Sequence, residues 1–319
     1  MQKLIFDTDP GIDDAMALLF AEASPDIDLL GITTVLGNGS IETTTRNALY
    51  LVERFDIPAP VFRGAASALQ VESGDPPTFV HGDDGLGNIH PSAPTREVSS
   101  LPADAYIVDT ILRYPGEVTI VAVGRLTNLA LALQREPAIV DAVRQIVVMG
   151  GALGTGGHHG NITPHAEANI YGDPHAAEQV FSADWPVVMV GLDVTMQVVM
   201  NDARMQRLRE CAGDAGEFMY EISRFYADFY AQSTDLQGFP VHDSSAIAYV
   251  IDRSLFTTTT GGLAVTLDGE HIGQTRIATS GRALAEADFG ARPQQLACTD
   301  VDAARLLQLF EQTVIDGYA

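Results

Sequence analysis

The sequence LIFDTDPGIDDAMALL at residues 4–19 predicts a strand, a sharp turn and a helix in immediate succession. Leu4-Ile5-Phe6 is apolar and suits a strand that is buried on both faces of a parallel sheet. Pro10-Gly11 interrupts the strand, and Asp13 is expected to cap the helix that follows. The apolar face of that helix consists of Ala15, Leu18, Leu19 and Ala21.

Four carboxylates, Asp7, Asp9, Asp13 and Asp14, gather where this strand ends and the helix begins. In open α/β sheets, ligands bind outside the carboxyl ends of the strands. Four like charges so close together repel one another unless a cation lies among them, and oxygen ligands suit Ca²⁺ or Mg²⁺ rather than zinc. A solvated acidic loop beside a helix cap is the alternative that a short motif alone leaves open.

Composition limits the fold and the partners of the chain. Its 319 residues are 46% hydrophobic, enough for one large α/β domain or two small ones. No internal repeat, low-complexity tract or linker is visible, so a single domain over 1–319 is expected. The net charge of −24, from 42 acidic and 18 basic residues, argues against nucleic acids and anionic membranes as partners.

The cysteines and the apolar segments indicate the cellular compartment in which the protein is expected. Cys211 and Cys298 provide neither a disulfide framework nor a thiolate metal site. No apolar run reaches membrane-spanning length, and the chain enters its first strand without a signal peptide. A soluble, cytoplasmic protein is expected.

Strands and helices alternate through the first two-thirds of the chain, which predicts an α/β fold with a mostly parallel, doubly wound sheet. A long loop is expected over 64–100, and it contains the run FVHGDDGLG at 79–87. Strands are predicted at 4–6, 27–35, 60–62, 118–123, 145–149 and 187–190, and within 255–300. Helices are predicted at 41–55, 103–113, 129–134, 174–182, 202–230 and 301–318, with another starting at Ser244.

Polar residues follow several of these strands and should meet at one edge of the sheet. The run GNITPHAEANI at 160–170 places Asn161, Glu167 and Asn169 in or beside one loop. Amides and a carboxylate together bind hydroxyl groups well, as a sugar would require, although such side chains also stabilise loops.

Two further segments each allow a structural and a functional interpretation. Asp243 opens a helix, so it could cap that helix or complete a metal site, with His242 beside it as an acid or as an orienting group. Aromatic residues recur through 202–230 at a spacing that is typical of a core-facing helix.

These motifs together resemble the nucleoside hydrolase family, the inosine–uridine preferring ribohydrolases, and in particular the subgroup that contains a histidine in the site. The matching segments follow the order of the family and cover nearly the whole chain. They are DTDPGIDDAMAL at 7–18, ITTVLGN at 32–38, HGDDGLG at 81–87, GRLTNLALAL at 124–133, VVMGGA at 147–152, GNITPHAEANIYGDPHAA at 160–177, VGLDVT at 190–195 and VHDSSAIAYVID at 241–252.

The resemblance implies an open Rossmann-like sheet flanked by helices, and a Ca²⁺ ion at the base of the pocket. The implied metal ligands are Asp9, Asp14, Asp243 and the backbone carbonyl of Val123. The implied ribose-binding residues are Asp13, Asn161, Glu167 and Asn169. The residues implied to surround the attacking water, the leaving base and the nucleobase are Asn38, His242, His81, Met149, Tyr226 and Tyr230.

The implied activity is hydrolysis of the N-glycosidic bond of ribonucleosides to free base and ribose. Asp9 would activate a water bound to Ca²⁺, and His242 would assist the departure of the base. The resemblance also implies a homodimer or homotetramer. Ala168, where the family pattern leads us to expect phenylalanine, and the long loop at 151–160 leave the preference between purines and pyrimidines open.

Two other functions remain as alternatives. A haloacid-dehalogenase-type phosphatase also carries an Asp-x-Asp run after its first strand. It normally has a lysine at a later strand end, for which an arginine could substitute, whereas Lys3 is the only lysine here. A non-catalytic, Ca²⁺-dependent protein that binds nucleosides or sugars would need the same pocket without turnover.

Overall fold

The computed structural model describes residues 1–279, Phe289 and 292–319, and these form an α/β fold. The described strands are β1 (Gln2–Thr8), β2 (Ile27–Thr34), β3 (Val61–Arg63), β4 (Val118–Ala122), β5 (Gln145–Met149), β6 (Val187–Val190), β7 (Val199–Met200), β8 (Phe239–Pro240), β9 (Phe256–Val265), β10 (Thr275–Ala278) and β11 (Gln295–Val301). The described α-helices are α1 (Ile12–Ala23), α2 (Ile41–Arg54), α3 (Thr78–His81), α4 (Ala103–Arg113), α5 (Thr127–Arg135), α6 (Ala168–Gly172), α7 (Pro174–Ser182), α8 (Leu192–Thr195), α9 (Asp202–Cys211), α10 (Gly213–Ser233), α11 (His242–Ile251) and α12 (Ala303–Tyr318).

The central sheet has the strand order β10-β9-β11-β6-β5-β4-β1-β2-β3. Every pair from β3 across to β11 is parallel, whereas β9 runs antiparallel to both β11 and β10. The segment from β3 to β6 follows the Rossmann order 3-2-1-4-5-6, in which the direction of winding reverses between β1 and β4. The predicted mostly parallel, doubly wound sheet is therefore confirmed, and its ligand crevice should open between β1 and β4.

Side chains alternate between two apolar cores, one on each face of the sheet. Phe6, Val121 and Val147 point into the core that also contains residues of α1, α10, α11 and α12. Ile5 and Ile146 point into the opposite core, which contains residues of α4, α5 and α7. Because both faces are buried, the strands are continuously apolar, which made them visible in the sequence.

The predicted Asp13 cap of α1 is wrong, and of the two roles left open for Asp243 the helix cap is not observed. Gly11, and not Asp13, precedes α1, because the Asp14 carboxylate reaches back and accepts the Gly11 amide at 2.9 Å. Likewise α11 begins at His242 after Val241, so Asp243 lies inside the first turn. Neither aspartate caps a helix, so both carboxylates are available to bind a ligand at the site.

The predicted helix over 202–230 is also wrong in one respect, because it is two helices. Gly213 separates α9 from α10 with a φ of +52°, and a Cβ there would lie 2.7 Å from the carbonyl oxygen of Tyr318. The close approach of the C-terminal helix therefore requires glycine at the break.

The loop over 64–100 contains the short helix α3, which the sequence pattern did not predict, and α6, α8, β7 and β8 were also missed. Strands within 255–300 are confirmed as β9, β10 and most of β11, while 280–288, 290 and 291 lie outside the described residues. Among the helices that the structure describes, none is long and apolar enough to cross a membrane.

Candidate active site

Asp9 lies directly after β1, and the surrounding backbone fits closely around its carboxylate. Its Oδ2 accepts the Asn38 amide at 2.7 Å, while its buried Oδ1 has no hydrogen-bond partner among the described residues. A Cβ added to Gly37 would lie 1.9 Å from Oδ2, and one added to Gly124 would lie 2.5 Å from Oδ1. Burial raises the pKa of Asp9 well above its ordinary value, and the neighbouring Asp14 carboxylate raises it further.

Asp14 is held by hydrogen bonds from three directions. It accepts the Thr8 hydroxyl at 2.5 Å, the Gly11 amide at 2.9 Å and the Asn38 side-chain amide at 2.9 Å. Burial raises its pKa, while these donors favour the ionised form and oppose that rise. The carboxylate is therefore fixed in place as an acceptor beneath the crevice.

Three buried carboxylates converge beside Asp9. Asp13, Asp14 and Asp243 each offer an oxygen, and these atoms lie within 4.8 Å of one another. Burial raises the pKa of Asp243 well above its ordinary value, and Asp13 and Asp14 add to the rise by charge repulsion. A divalent cation with oxygen ligands would relieve this repulsion, and the partnerless Oδ1 of Asp9 is a further available ligand atom, so the residues present fit such a metal.

The predicted metal ligands and this cluster coincide in part. Asp14 and Asp243 belong to both sets, while Asp13 joins the cluster and Asp9 lies next to it. The Val123 carbonyl lines the same cavity at the end of β4, where it accepts the side-chain amide of Asn169 at 2.7 Å.

Asn161, Glu167 and Asn169 also come together, and each of them stabilises its loop as well as lining the cavity. Glu167 accepts the Gly151 amide at 2.9 Å, and Asn161 accepts the Ala168 amide at 2.9 Å. Burial raises the pKa of Glu167 although four backbone amides oppose the rise. The structural and the functional interpretations of these residues are thus compatible.

These groups surround a cavity of about 380 Å³. Asp9 and Asp14 lie behind its wall, where both are hydrogen bonded to Asn38. Its lining combines polar groups with aromatic and aliphatic side chains such as Phe79 and Phe229. The sequence-predicted residues that line it are Asp13, Asn38, His81, Val123, Met149, Asn161, Glu167, Asn169, Tyr226, Tyr230, His242 and Asp243.

His81 is oriented by the backbone and by an aromatic neighbour. The Ile12 amide donates to its Nδ1 at 3.2 Å, which requires that the ring proton be on Nε2. Its ring stacks on Tyr226 at 5.6 Å, and the Tyr226 hydroxyl in turn donates to Asp13 at 3.2 Å. Burial lowers the pKa of His81 to about 3, so the ring is neutral.

His242 lies between two hydroxyl groups. Its Nδ1 is 2.7 Å from Oγ1 of Thr195, and its Nε2 is 2.9 Å from the Tyr230 hydroxyl. Burial lowers its pKa to about 4, so this ring is neutral as well.

Sequence reasoning missed two residues near the site. Thr195 belongs to the VGLDVT segment but received no role, because its contact with His242 joins positions 47 residues apart. Arg125, in the GRLTN segment, is near enough to Asp9 for the opposite charges to lower the pKa of that carboxyl. Its basic side chain beside an acidic cluster is the signal that could have identified it.

Comparisons with known proteins agree on one family. The model of the inosine-uridine preferring nucleoside hydrolase family matches residues 4–308. A probable uridine nucleosidase 1 of Oryza sativa subsp. japonica is 41% identical over 86% of this chain and 84% of its own.

Two solved structures are similar to this chain over nearly its whole length. A plant nucleoside hydrolase, the PpNRh1 enzyme, superposes with a TM-score of 0.92 at 36% identity over 98% of both chains. A purine-preferring ribonucleoside hydrolase from Gardnerella vaginalis does so with a TM-score of 0.91 at 33% identity over 99% of both chains.

Proposed function

Because the chain belongs to the inosine-uridine preferring nucleoside hydrolase family and is thus a hydrolase that acts on nucleosides, we propose that it hydrolyses ribonucleosides with the help of Ca²⁺. One observation carries the proposal. The buried cluster of Asp13, Asp14 and Asp243 lies against the same cavity as the amides and the carboxylate that suit ribose hydroxyls.

The metal would be held by Asp9, Asp14, Asp243 and the Val123 carbonyl. The partnerless Oδ1 of Asp9 and the mutual repulsion of the carboxylates support this assignment. Oxygen ligands of this kind suit Ca²⁺. When bound, Ca²⁺ would supply positive charge that offsets the carboxylates and makes a nearby water a stronger acid.

The side chains that line the cavity determine how a bound nucleoside is oriented. Carboxylate and amide groups of Asp13, Asn161, Glu167 and Asn169 bind the ribose hydroxyls. The base then contacts the less polar side chains of the lining, which include Met149, His81, Tyr226 and Tyr230.

Hydrolysis proceeds by displacement at the anomeric carbon. The water oxygen forms a bond to this carbon, Asp9 accepts the water proton, and Asn38 lies beside the water. The carbon–nitrogen bond breaks with its electron pair remaining on the base, which takes up a proton. Positive charge that develops on the ribose ring is stabilised by the surrounding carboxylates. His242 assists the departing base.

We expect free ribose to be released from a panel of inosine, adenosine, guanosine, uridine and cytidine, and a calcium chelator to suppress that release. Reducing-sugar assays with and without chelator, followed by restoration with Ca²⁺, test this. The ranking of substrates fixes the base preference, since the similar proteins include one named for uridine and one named for purines.

Two outcomes would contradict the proposal. Undiminished release in the presence of chelator would exclude the metal. No release from any nucleoside, with Ca²⁺ shown to bind by calorimetry, would favour the alternative of a non-catalytic nucleoside-binding protein.

Removal of the 2′-hydroxyl is expected to lower kcat/KM by about 100-fold or more, because a site built to bind a hydroxyl leaves buried polar groups unpaired without it. Uridine and 2′-deoxyuridine should be compared under identical conditions. Equal turnover of the two would show that the carboxylate and amide groups do not contact this hydroxyl.

A further inference from the structure

Thr195 lies behind the active site, and its side chain is hydrogen bonded to one residue that lines the cavity. It ends the short helix α8 after β6, is fully buried, and lies outside the cavity wall formed by the described residues. Its hydroxyl oxygen is 2.7 Å from Nδ1 of His242, the first residue of α11. The hydrogen bond of the Thr195 side chain to the cavity wall is therefore made through this imidazole.

The direction of this hydrogen bond follows from counting donors. The Thr195 hydroxyl has one proton, and in the described structure its side chain has His242 as its hydrogen-bond partner. A buried hydroxyl that fails to donate is left as an unsatisfied donor, which is unfavourable. Donation from Thr195 to Nδ1 satisfies the donor, and it places the proton of the neutral ring on Nε2.

The other side of the ring is compatible with this assignment. Nε2 is 2.9 Å from the hydroxyl of Tyr230. A tyrosine hydroxyl can accept a hydrogen bond as well as donate one. Tyr230 can therefore accept the Nε2 proton of His242, as the contact with Thr195 requires.

We propose that Thr195 is a positioning residue for hydrolysis, which holds His242 as the tautomer with its proton on Nε2, so that the N–H that faces the Tyr230 hydroxyl can exchange this partner for the leaving base. This inference rests on the proposed function. In this tautomer the neutral ring donates a hydrogen bond to the nitrogen that gains the electron pair. The opposite tautomer would place a lone pair against that nitrogen and oppose its departure.

The proposal is tested with Thr195→Val, which removes the hydroxyl while keeping the branched shape. Uridine and inosine are compared with 4-nitrophenyl β-D-ribofuranoside, whose phenolate leaves without help from a donor. We expect kcat for the nucleosides to fall by about 10- to 100-fold, as for a misplaced catalytic group, with the riboside and KM changing by less than about threefold. Thr195→Ser, which keeps the hydroxyl, should restore most of the loss.

Thr119→Val is the matched control. Thr119 is equally buried, but its hydroxyl has no hydrogen-bond partner within the part of the chain that the structure describes, so the same chemical change removes no described hydrogen bond. Its kinetics should match the wild type on all three substrates. An equal loss on nucleosides and riboside, or no loss at all, for Thr195→Val would overturn the proposal in favour of a packing role.

A second measurement does not depend on the variants or on turnover. Nitrogen-15 chemical shifts of the wild-type protein, labelled at histidine and assigned with His242→Ala, report which ring nitrogen carries the proton. A proton on Nε2 supports the proposal, and one on Nδ1 overturns it. Absence of ribose release by the wild type would instead refute the proposed function, so the two failures can be told apart.

Discussion

Replacement of Asp243 with asparagine is expected to abolish most of the activity while stabilising the metal-free protein. Asp243 is 3% exposed, and the carboxylates that raise its pKa after burial itself are Asp13, Asp14, Asp9 and Glu167. The carboxamide keeps the shape but removes one charge from the cluster. Activity and stability should therefore change in opposite directions.

The loss of activity follows from the electrostatic role of the cluster. Without the Asp243 charge, the site attracts a cation less strongly and stabilises the positive ribose ring less well. We expect kcat to fall by about 100- to 1,000-fold, the usual effect of removing one preorganised electrostatic contact. Measurement of kcat at saturating nucleoside and excess Ca²⁺ tests this part.

The gain in stability follows from the sign of the pKa shift. The folded-state pKa of Asp243 lies above that of the unfolded chain, so its ionised form destabilises the metal-free fold at neutral pH. Asparagine removes this penalty, and we expect the Tm in chelator to rise by about 2–5 °C. The increase in Tm that Ca²⁺ gives the wild type should become smaller in the variant.

Asp252→Asn provides the control, because Asp252 lies just beyond the other end of the same helix, α11. Its pKa is lowered by hydrogen bonds to Ser254 and by Arg305, so loss of its charge should not raise the Tm. Its kcat should remain that of the wild type. A lower Tm for metal-free Asp243→Asn, or unchanged turnover, would show that the cluster is not a repulsive metal site.

The fold was predictable where burial alone determines the structure. The strand over 145–149 and the helices over 103–113 and 174–182 have the bounds that their apolar patterns predict. The start of α1 was not predictable, because Asp13 and Asp14 are equally good capping residues in the sequence. The choice depends on Asp14 reaching back to Gly11, which only the three-dimensional turn reveals.

The sequence was sufficient to predict which residues form the site, but not the hydrogen bonds that connect them. Parallel strands bring their carboxyl ends to one edge, so Asn38, Asn169 and Asp243 were expected together, and all three line one cavity. The assigned roles remain predictions. Thr195 could not be identified because its effect depends on how α8 packs against α11, and neither spacing nor residue type signals that contact.

Gly37→Ala is expected to cost nearly as much activity as the loss of a catalytic group, although it leaves every catalytic side chain in place. The methyl group would lie 1.9 Å from Oδ2 of Asp9, well inside the closest contact that real Cβ atoms make. Alanine has no conformational difficulty at this position, since φ lies outside the left-handed region. The collision with the Asp9 carboxylate is therefore the main effect of the substitution.

Relief of this collision must move the carboxylate away from the Asn38 amide, to which it is bound at 2.7 Å. A displacement of about 1 Å at a reacting group lowers kcat by about 100-fold. Gly74→Ala is the matched control, because nothing lies within 4 Å of its added Cβ. If kcat of Gly37→Ala equalled that of Gly74→Ala, Asp9 could not be the group that accepts the water proton, since a base must lie within hydrogen-bond reach of that proton.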